Sequence, residues 1–363
     1  MHPSLPAISG AAIGLLATAF PAAAQFGSPG NTDFSDFYPV VDFPNAQQEN
    51  LTRIYSQAEK LVKQDLAYDF TYRCLWTRGT VYPGIGGAIG GDRFIKPRRV
   101  FDDLYFVGYA SVSAWAIDTG DGLIIIDALY NGDEIERILV PGLQEFGFEM
   151  SDVKALLVTH EHIDHYGGAG YVQKEYGTPI YASEQAWDVM AGIVGAPTRD
   201  KTIGDNEELR VGDYAITAYL TPGHTDGCLS LMIPVTDNGE PHLAGLYGGG
   251  GVPSGPANKA LQMQSFSRWA DLAKKHKADA LVSNHATQDQ SLLKLEVLGA
   301  RECKNDGPGH HKPGPGGKKE KNVKVKCSTR NPYVVGTGYY VRYLQAMSLC
   351  VEMVAARNGE DLP

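Results

Sequence analysis

Residues 156–170 read LLVTHEHIDHYGGAG and place His160, Glu161, His162, Asp164 and His165 within six positions, directly after an apolar run. Burying such a cluster is costly unless its groups find partners, because polar atoms lose their hydration in a core. Imidazole is the commonest metal ligand. His160 and His162 lie two apart, so on an extended segment both rings point to one face and can grip a single ion. Gly167 and Gly168 permit a tight bend. Asp164 and His165 are therefore predicted to sit where the chain turns into a helix, facing a neighbouring position open to a second ion. Glu161 and Ile163 are predicted to point away.

Four ligands cannot complete two metal sites, so distant ones are needed. The chain has ten histidines: His2, His160, His162, His165, His224, His242, His276, His285, His310 and His311. His224 sits in TPGHTDG, a Pro-Gly turn between predicted strands, where a ligand can be aimed inward. His285 ends the apolar strand ALVSNHA. His276 lies among lysines and reads as solvated, His242 as structural, and His310 and His311 as part of a basic insertion.

Around these motifs strands and helices alternate, which indicates a layered α/β domain rather than a bundle. Residues 51–67 carry Ile54, Ala58, Leu61 and Leu66 at near-helical spacing. A Gly-rich loop spans 84–91. Two strands flank a Gly120-Asp121-Gly122 turn, a helix is expected over 131–147, and KALLVTH is a buried strand delivering the histidine cluster. TPIYASEQAWDVM predicts strand then helix with Ser183 as the cap. Further strands are read in YAITAYL, CLSLMIPV, PHLAGLY and ADALV, and a helix in MQSFSRWADLAKKH. The terminal helix shows an apolar stripe of Val341, Leu344, Ser348 and Val351.

The 363 residues are 43% apolar and 20% charged, enough for a sizeable core, and the net charge of −10 argues against general nucleic-acid binding. The apolar stretch at 8–20, followed by Ala22-Ala23-Ala24 before Gln25, fits a cleavable signal peptide without the usual basic n-region, so a secreted or periplasmic protein is expected. No later segment is apolar enough to span a bilayer. None of Cys74, Cys228, Cys303, Cys327 and Cys350 forms a C-x-x-C pair. A Cys303–Cys327 disulfide would close a Gly/Pro/Lys-rich stretch, while Cys228 and Cys350 read as small buried hydrophobes. Residues 301–330 hold nine Lys/Arg against three Asp/Glu and read as a solvated insertion.

With these residues in view, the chain resembles the metallo-β-lactamase fold superfamily. HEHIDH corresponds to its HxHxDH signature and TPGHT to its next ligand motif. GLIIIDAL resembles the strand whose terminal aspartate, here Asp127, supports the metal loop. The likeness covers roughly residues 98–290, and the C-terminal NPYVVGTGYYVRYL also looks familial. It implies a four-layer αβ/βα sandwich in which a signal peptide (1–24) and an N-terminal arm and helix (25–97) precede a catalytic domain at 98–300. The insertion at 301–330 and a closing helix at 331–363 complete it. Many relatives bridge two metals with an aspartate in a segment that here reads AGLYGGGGVPSG, without an acid from Leu243 to Ala257. In this the chain resembles the subclass B3 branch. That likeness assigns His160, His162 and His224 to one zinc and Asp164, His165 and His285 to the other, leaving Cys228 off the ligand position.

The resemblance implies hydrolysis of a small molecule by a zinc-activated water, with Asp164 both ligand and orienting group. A lactam is the substrate class it favours, in a detoxifying role. A lactone or ester hydrolase would use the same site. A mononuclear iron oxygenase would need two histidines and one carboxylate, and a non-catalytic binding protein would leave the six-ligand set unexplained. Among nearby aromatics, Trp115 and Trp187 read as core; Tyr247 is a further pocket candidate and Tyr166 the better one for the site rim.

Overall fold

A computed structural model describes residues 38, 40–75, 95–301, 327 and 329–363. The leader, the 84–91 stretch, His2, His310, His311, Cys303 and most of the basic insertion lie outside the described residues. Two sheets face each other. The first runs in chain order through β1 (Arg98–Arg99), β2 (Leu104–Phe106), β3 (Trp115–Asp118), β4 (Leu123–Ile126), β5 (Val153–Leu157), β6 (Ile180–Ala182) and β7 (Lys201–Thr202). The second has the order β12-β11-β10-β9-β8, from β8 (Glu207–Val211), β9 (Tyr214–Leu220), β10 (Leu229–Asp237), β11 (Glu240–Leu246) and β12 (Ala280–Val282).

Burial explains the layering. β4 reads LIII with every side chain buried, the pattern of a strand covered on both faces. Ile124 and Ile126 meet Leu229, Leu231 and Ile233 between the sheets, while Leu123 and Ile125 face helices on the outer side with Ile135, Leu139 and Val172. On the other flank, Tyr219, Met232 and Leu281 pack against the helices Gln48–Val62, Pro256–His276 and Thr337–Asn358. The result is the expected αβ/βα sandwich of four layers. Trp115 and Trp187 are core residues, as their apolar settings suggested.

Chain direction places the site. β4 and β5 are parallel, as are β11 and β12, and the β9–β10 connection closes at the edge where β11 ends. The C-terminal ends of these strands therefore gather at one rim of the sandwich. Hydrogen bonds join the two sheets there, among them Leu229 N–H to Thr159 O (2.8 Å), Ser113 N–H to Asn284 O (2.9 Å) and Trp115 Nε1–H to Ser283 O (2.9 Å).

Several local expectations change in the folded chain. The first helix runs Gln48–Val62, with Leu66 buried beyond its end. A helix at Ser291–Gly299 has no counterpart in the sequence reading. The buried face of Thr337–Asn358 follows Tyr340, Leu344, Met347 and Val351, whereas Val341 and Ser348 are only partly buried. The helix is rotated toward its aromatic side because tyrosines fill the gap over the second sheet. Cys350 is not a free thiol; it forms a disulfide with Cys74 that ties this helix to the N-terminal segment. Cys228 is free and buried, and Cys327 is disulfide-bonded. Ser183 caps its helix by accepting from Ala186 N–H (3.1 Å). No helix of the described residues is long and apolar enough to cross a membrane.

Candidate metal centre

The six residues singled out from sequence converge as two triads. His160, His162 and His224 form one; Asp164, His165 and His285 form the other, and within each triad the donor atoms lie within 4.8 Å of one another. His224 Nε2 is 3.0 Å from His162 Nδ1, and His165 Nε2 is 3.2 Å from His285 Nε2. Asp164 Oδ2 lies 3.3 Å from His165 Nε2 and 3.8 Å from His285 Nε2. Ligands at zinc–nitrogen distance around one tetrahedral ion stand about 3.4 Å apart, so the spacing fits. His160 Nε2 is buried without a hydrogen-bond partner, as a ligand nitrogen would be.

His160 and His162 do not extend the strand, as the two-residue spacing had suggested. β5 stops at Leu157 and the histidines lie in a bend before the short helix Ile163–Tyr166, which carries Asp164 and His165 on its first turn. Their rings still meet, with centroids 4.9 Å apart. Glu161 does point away, into a buried position where it accepts from Gly227 N–H (3.0 Å) and so ties this loop to the one carrying His224. Tyr166 is buried among the outer helices and forms no part of the rim; the first turn sends it toward the first sheet. Tyr247 is likewise buried, stacked on Phe266. His242 pairs with Asp279 (2.7 Å) and His276 is exposed, both away from the site.

Hydrogen bonds fix which ring nitrogens are free. Asp127 is fully buried at the end of β4 and accepts from Thr159 N–H (2.7 Å), Thr159 Oγ1–H (2.9 Å) and His165 Nδ1–H (2.7 Å). Thr159 has spent its only hydrogen on Asp127, so its oxygen accepts from His160 Nδ1–H (3.2 Å) and Asn284 Nδ2–H (3.0 Å). His285 Nδ1–H donates to Ser111 O (2.7 Å). Each bond leaves the Nε2 lone pair of its histidine directed at the triads, the arrangement that orients metal-ligating imidazoles. Asp127 holds a left-handed backbone (φ 63°) to make this reach. Thr159, Asn284 and Ser111 escaped the sequence reading. Thr159 and Asn284 each had one signal, adjacency to a ligand at the end of an apolar strand; Ser111, 174 residues from His285, had none.

Electrostatics sets His165 apart from the other buried imidazoles. Burial, reinforced by neighbouring imidazoles, holds His160 well below its ordinary pKa and lowers His224 and His285 to about 4. Burial opposes charge at His165 too, but the carboxylates of Asp127 and Asp164 outweigh it and push that imidazole up to about 9. Metal entering the second triad must therefore displace the His165 proton, which is bound in the metal-free chain at neutral pH. Affinity of that triad is expected to rise about tenfold per pH unit from pH 6.5 toward 8.5 and to level off above 9. Zinc competition titrations against a chromophoric chelator at three pH values would check this, and a flat profile would remove the charged His165.

The 248–251 loop, after β11, backs His224. A methyl group on Gly248 would sit 1.9 Å from the Leu229 carbonyl oxygen, on Gly249 2.5 Å from Cys228 Sγ, on Gly250 1.9 Å from Gln288 Oε1, and on Gly251 2.8 Å from His224 Cε1. Backbone at Gly248, the buried Cys228 at Gly249 and the His224 ring at Gly251 leave no room for a side chain, whereas at Gly250 the neighbour is the end of the flexible Gln288 side chain.

Residues 107–251 match the model of the metallo-beta-lactamase superfamily. Among curated proteins, an exodeoxyribonuclease YycJ of Bacillus anthracis is 30% identical over 105 residues, 28% of this chain and 38% of that protein. A hydroxyacylglutathione hydrolase of Bdellovibrio bacteriovorus is 28% identical over 131 residues, 35% of this chain and 43% of its own. The chain thus spans less than half the length of either relative. Among solved structures, the subclass B3 metallo-beta-lactamase BJP-1 of Bradyrhizobium japonicum superposes with a TM-score of 0.55 at 22% identity, over 72% of this chain and 94% of that one. The FEZ-1 metallo-beta-lactamase of Legionella gormanii gives 0.55 at 22% identity, over 70% and 93%. These likenesses show a shared fold.

Proposed function

We propose that this chain, which carries a metallo-β-lactamase superfamily domain, is a dinuclear zinc hydrolase that opens a cyclic amide. The observation that carries the lactam reading is the 248–251 loop: both metals would be held by imidazoles and Asp164 alone, without a carboxylate between them. When bound, zinc supplies Lewis acidity and a water acidified to a pKa of about 7.

The chain's own residues do the rest. His160 and His165 lie buried at the base of the site while His162 stays exposed, so a substrate approaches from the His162 side. Asp164 would hold its ion and accept a hydrogen bond from the attacking water, orienting it toward the carbonyl carbon. Asp127, Thr159 and Ser111 keep three imidazoles from rotating, so little reorganisation accompanies the reaction. Export is part of the proposal; the Cys74–Cys350 disulfide suits an oxidising compartment.

A second reading, an ester, lactone or thioester hydrolase, is favoured by the sequence likeness to hydroxyacylglutathione hydrolases. Action on nucleic acid is disfavoured by the net charge of −10, despite the exodeoxyribonuclease relative. The deciding experiment is turnover of a chromogenic cephalosporin by the zinc-loaded chain, with and without chelator. Chelator-sensitive turnover supports the lactamase. Two bound zinc ions without turnover would sink the β-lactam substrate and leave thioesters, lactones and unstrained lactams to be assayed.

A further inference from the structure

The 248–251 loop has no side chains to hold it, and its backbone is what is gripped: Gly248 N–H donates to Ser230 Oγ (3.1 Å), and the loop's carbonyls take the other bonds. Gly248 O accepts from Asn284 Nδ2–H (2.7 Å), Gly249 O and Gly251 O from Gln262 Nε2–H (2.8 and 2.7 Å), and Gly250 O from Arg73 Nη2–H (2.6 Å). Arg73 is the only charged donor of the three, and it comes from the far end of the chain, outside the residues that match the superfamily model.

Arg73 is itself tightly placed. Its Nη1–H donates to Tyr343 Oη (3.1 Å), and Tyr343 Oη–H donates to Gln288 O (2.7 Å). The next residue, Cys74, is bonded to Cys350, and its carbonyl accepts from Tyr38 Oη–H (2.8 Å). One turn earlier, Asp69 accepts from Gln290 Nε2–H (2.9 and 2.8 Å) and Tyr339 Oη–H (2.9 Å). Residues 67–75 are thus tied at several points to the helix Thr337–Asn358 and to the 288–290 turn after His285. A guanidinium on a fixed backbone loses little further freedom in gripping a carbonyl, and its planar fork serves two acceptors at once.

We propose that Arg73 is a positioning residue of the metal centre, whose grip on the Gly250 carbonyl sets the loop against which the His224 imidazole rests. Among the described residues this side-chain-free loop has no other charged tether. A shift of a few tenths of an ångström there would turn His224 away from His160 and His162, because the loop backs that residue so closely that a methyl group on Gly249 or Gly251 would lie 2.7 or 2.8 Å from it. The N-terminal segment and its disulfide thereby become part of the site. The inference rests on the reading of His160, His162 and His224 as a metal triad.

The test is an equilibrium titration of the full-length oxidised chain with zinc against a chromophoric chelator, repeated with cobalt(II) to read the ligand-field spectrum. Arg73→Met is expected to weaken one of two bound ions by about 10- to 100-fold, the range for loss of an outer-shell partner, and to change the cobalt spectrum. Arg73→Lys should recover part of the loss. Arg342→Met, which breaks the Arg342–Asp65 pair near the same segment without touching the loop, should leave both readouts unchanged. A purely structural role for Arg73 would lower the unfolding temperature and leave metal affinity intact; that result overturns the proposal. Should Arg73→Met fail to fold, Arg73→Gln, whose shorter uncharged side chain gives up the grip on Gly250 while keeping a polar group, takes its place, and wild-type zinc affinity with an unchanged cobalt spectrum in that variant overturns it equally. A wild-type chain that binds no zinc would sink the metal reading itself, which is a separate outcome.

Discussion

Replacing His160 with alanine is expected to remove one bound metal ion per chain and to reduce hydrolysis by about a thousandfold or more. Lewis-acid stabilisation is worth several kcal/mol of transition-state energy, and each 1.4 kcal/mol is about tenfold in rate. His160 is the buried member of its triad and makes one weak hydrogen bond, to Thr159. Its loss therefore strips the first triad without dismantling the Asp127 network. His285→Ala should empty the other triad with a similar loss of rate, because His285 reaches Asp164 and His165 from a separate loop. Metal analysis by mass spectrometry of both variants, beside an exposed-surface control such as His276→Ala, reads the outcome. Two ions still bound in either variant, or unimpaired turnover, would contradict the assignment of the triads.

Asp127→Ala is expected to cost the metal-free protein about 3 kcal/mol, the lower end of the usual effect of removing one member of a buried ion pair, because Asp164 still faces the imidazolium. The His165 imidazolium keeps Asp164 beside its Nε2 (3.3 Å) but loses its partner at Nδ1, and Thr159 N–H and Oγ1–H lose their acceptors as well. The sign with pH follows from His165. Its folded pKa, raised to about 9, stands above the unfolded value near 6.5, so the contribution of its charge is complete below about pH 6.5 and is lost as pH climbs through 9. The destabilisation should accordingly shrink in alkaline buffer. Asp127→Asn separates chemistry from backbone strain, since asparagine tolerates the left-handed conformation at φ 63° as aspartate does. It should fold better than the alanine variant while still weakening zinc about 10- to 100-fold. Urea titrations at pH 6.5 and 9.5, with zinc affinity measured alongside, would check both; equal destabilisation at the two pH values would contradict the imidazolium–carboxylate pair.

Much of the site was legible because its signals are local. HEHIDH concentrates donors after an apolar strand, TPGHT aims a histidine from a turn, and SNHA ends a strand with one. A histidine at a strand end has few reasons to be there other than binding, so all six positions in the triads could be named without contacts. The fold class was readable for a similar reason, since alternating apolar runs and amphipathic stretches restrict the layers to a few arrangements. The errors came where orientation depends on neighbours. Tyr166 follows the ligands in sequence, yet the first turn of Ile163–Tyr166 carries it into the core. Val341 and Ser348 fit a helical period, but the burial direction of Thr337–Asn358 is chosen by the tyrosines that fill the space beneath it.

The sequence by itself determined which residues can bind metal, which strands deliver them, and that no acid occupies the glycine segment. Tertiary structure alone brought those donors within reach of one another and set the tautomers of His160, His165 and His285 through their Nδ1 partners. It also closed Cys74 onto Cys350 and brought Arg73 to the back of the site. The physical reason is range. Ligand chemistry and strand burial are properties of a few adjacent residues, whereas Asp127, Thr159, Asn284 and Arg73 act through single hydrogen bonds between segments 32 to 177 residues apart. Such bonds carry no periodicity and no composition, and they form only where packing has already brought two strand ends to one rim.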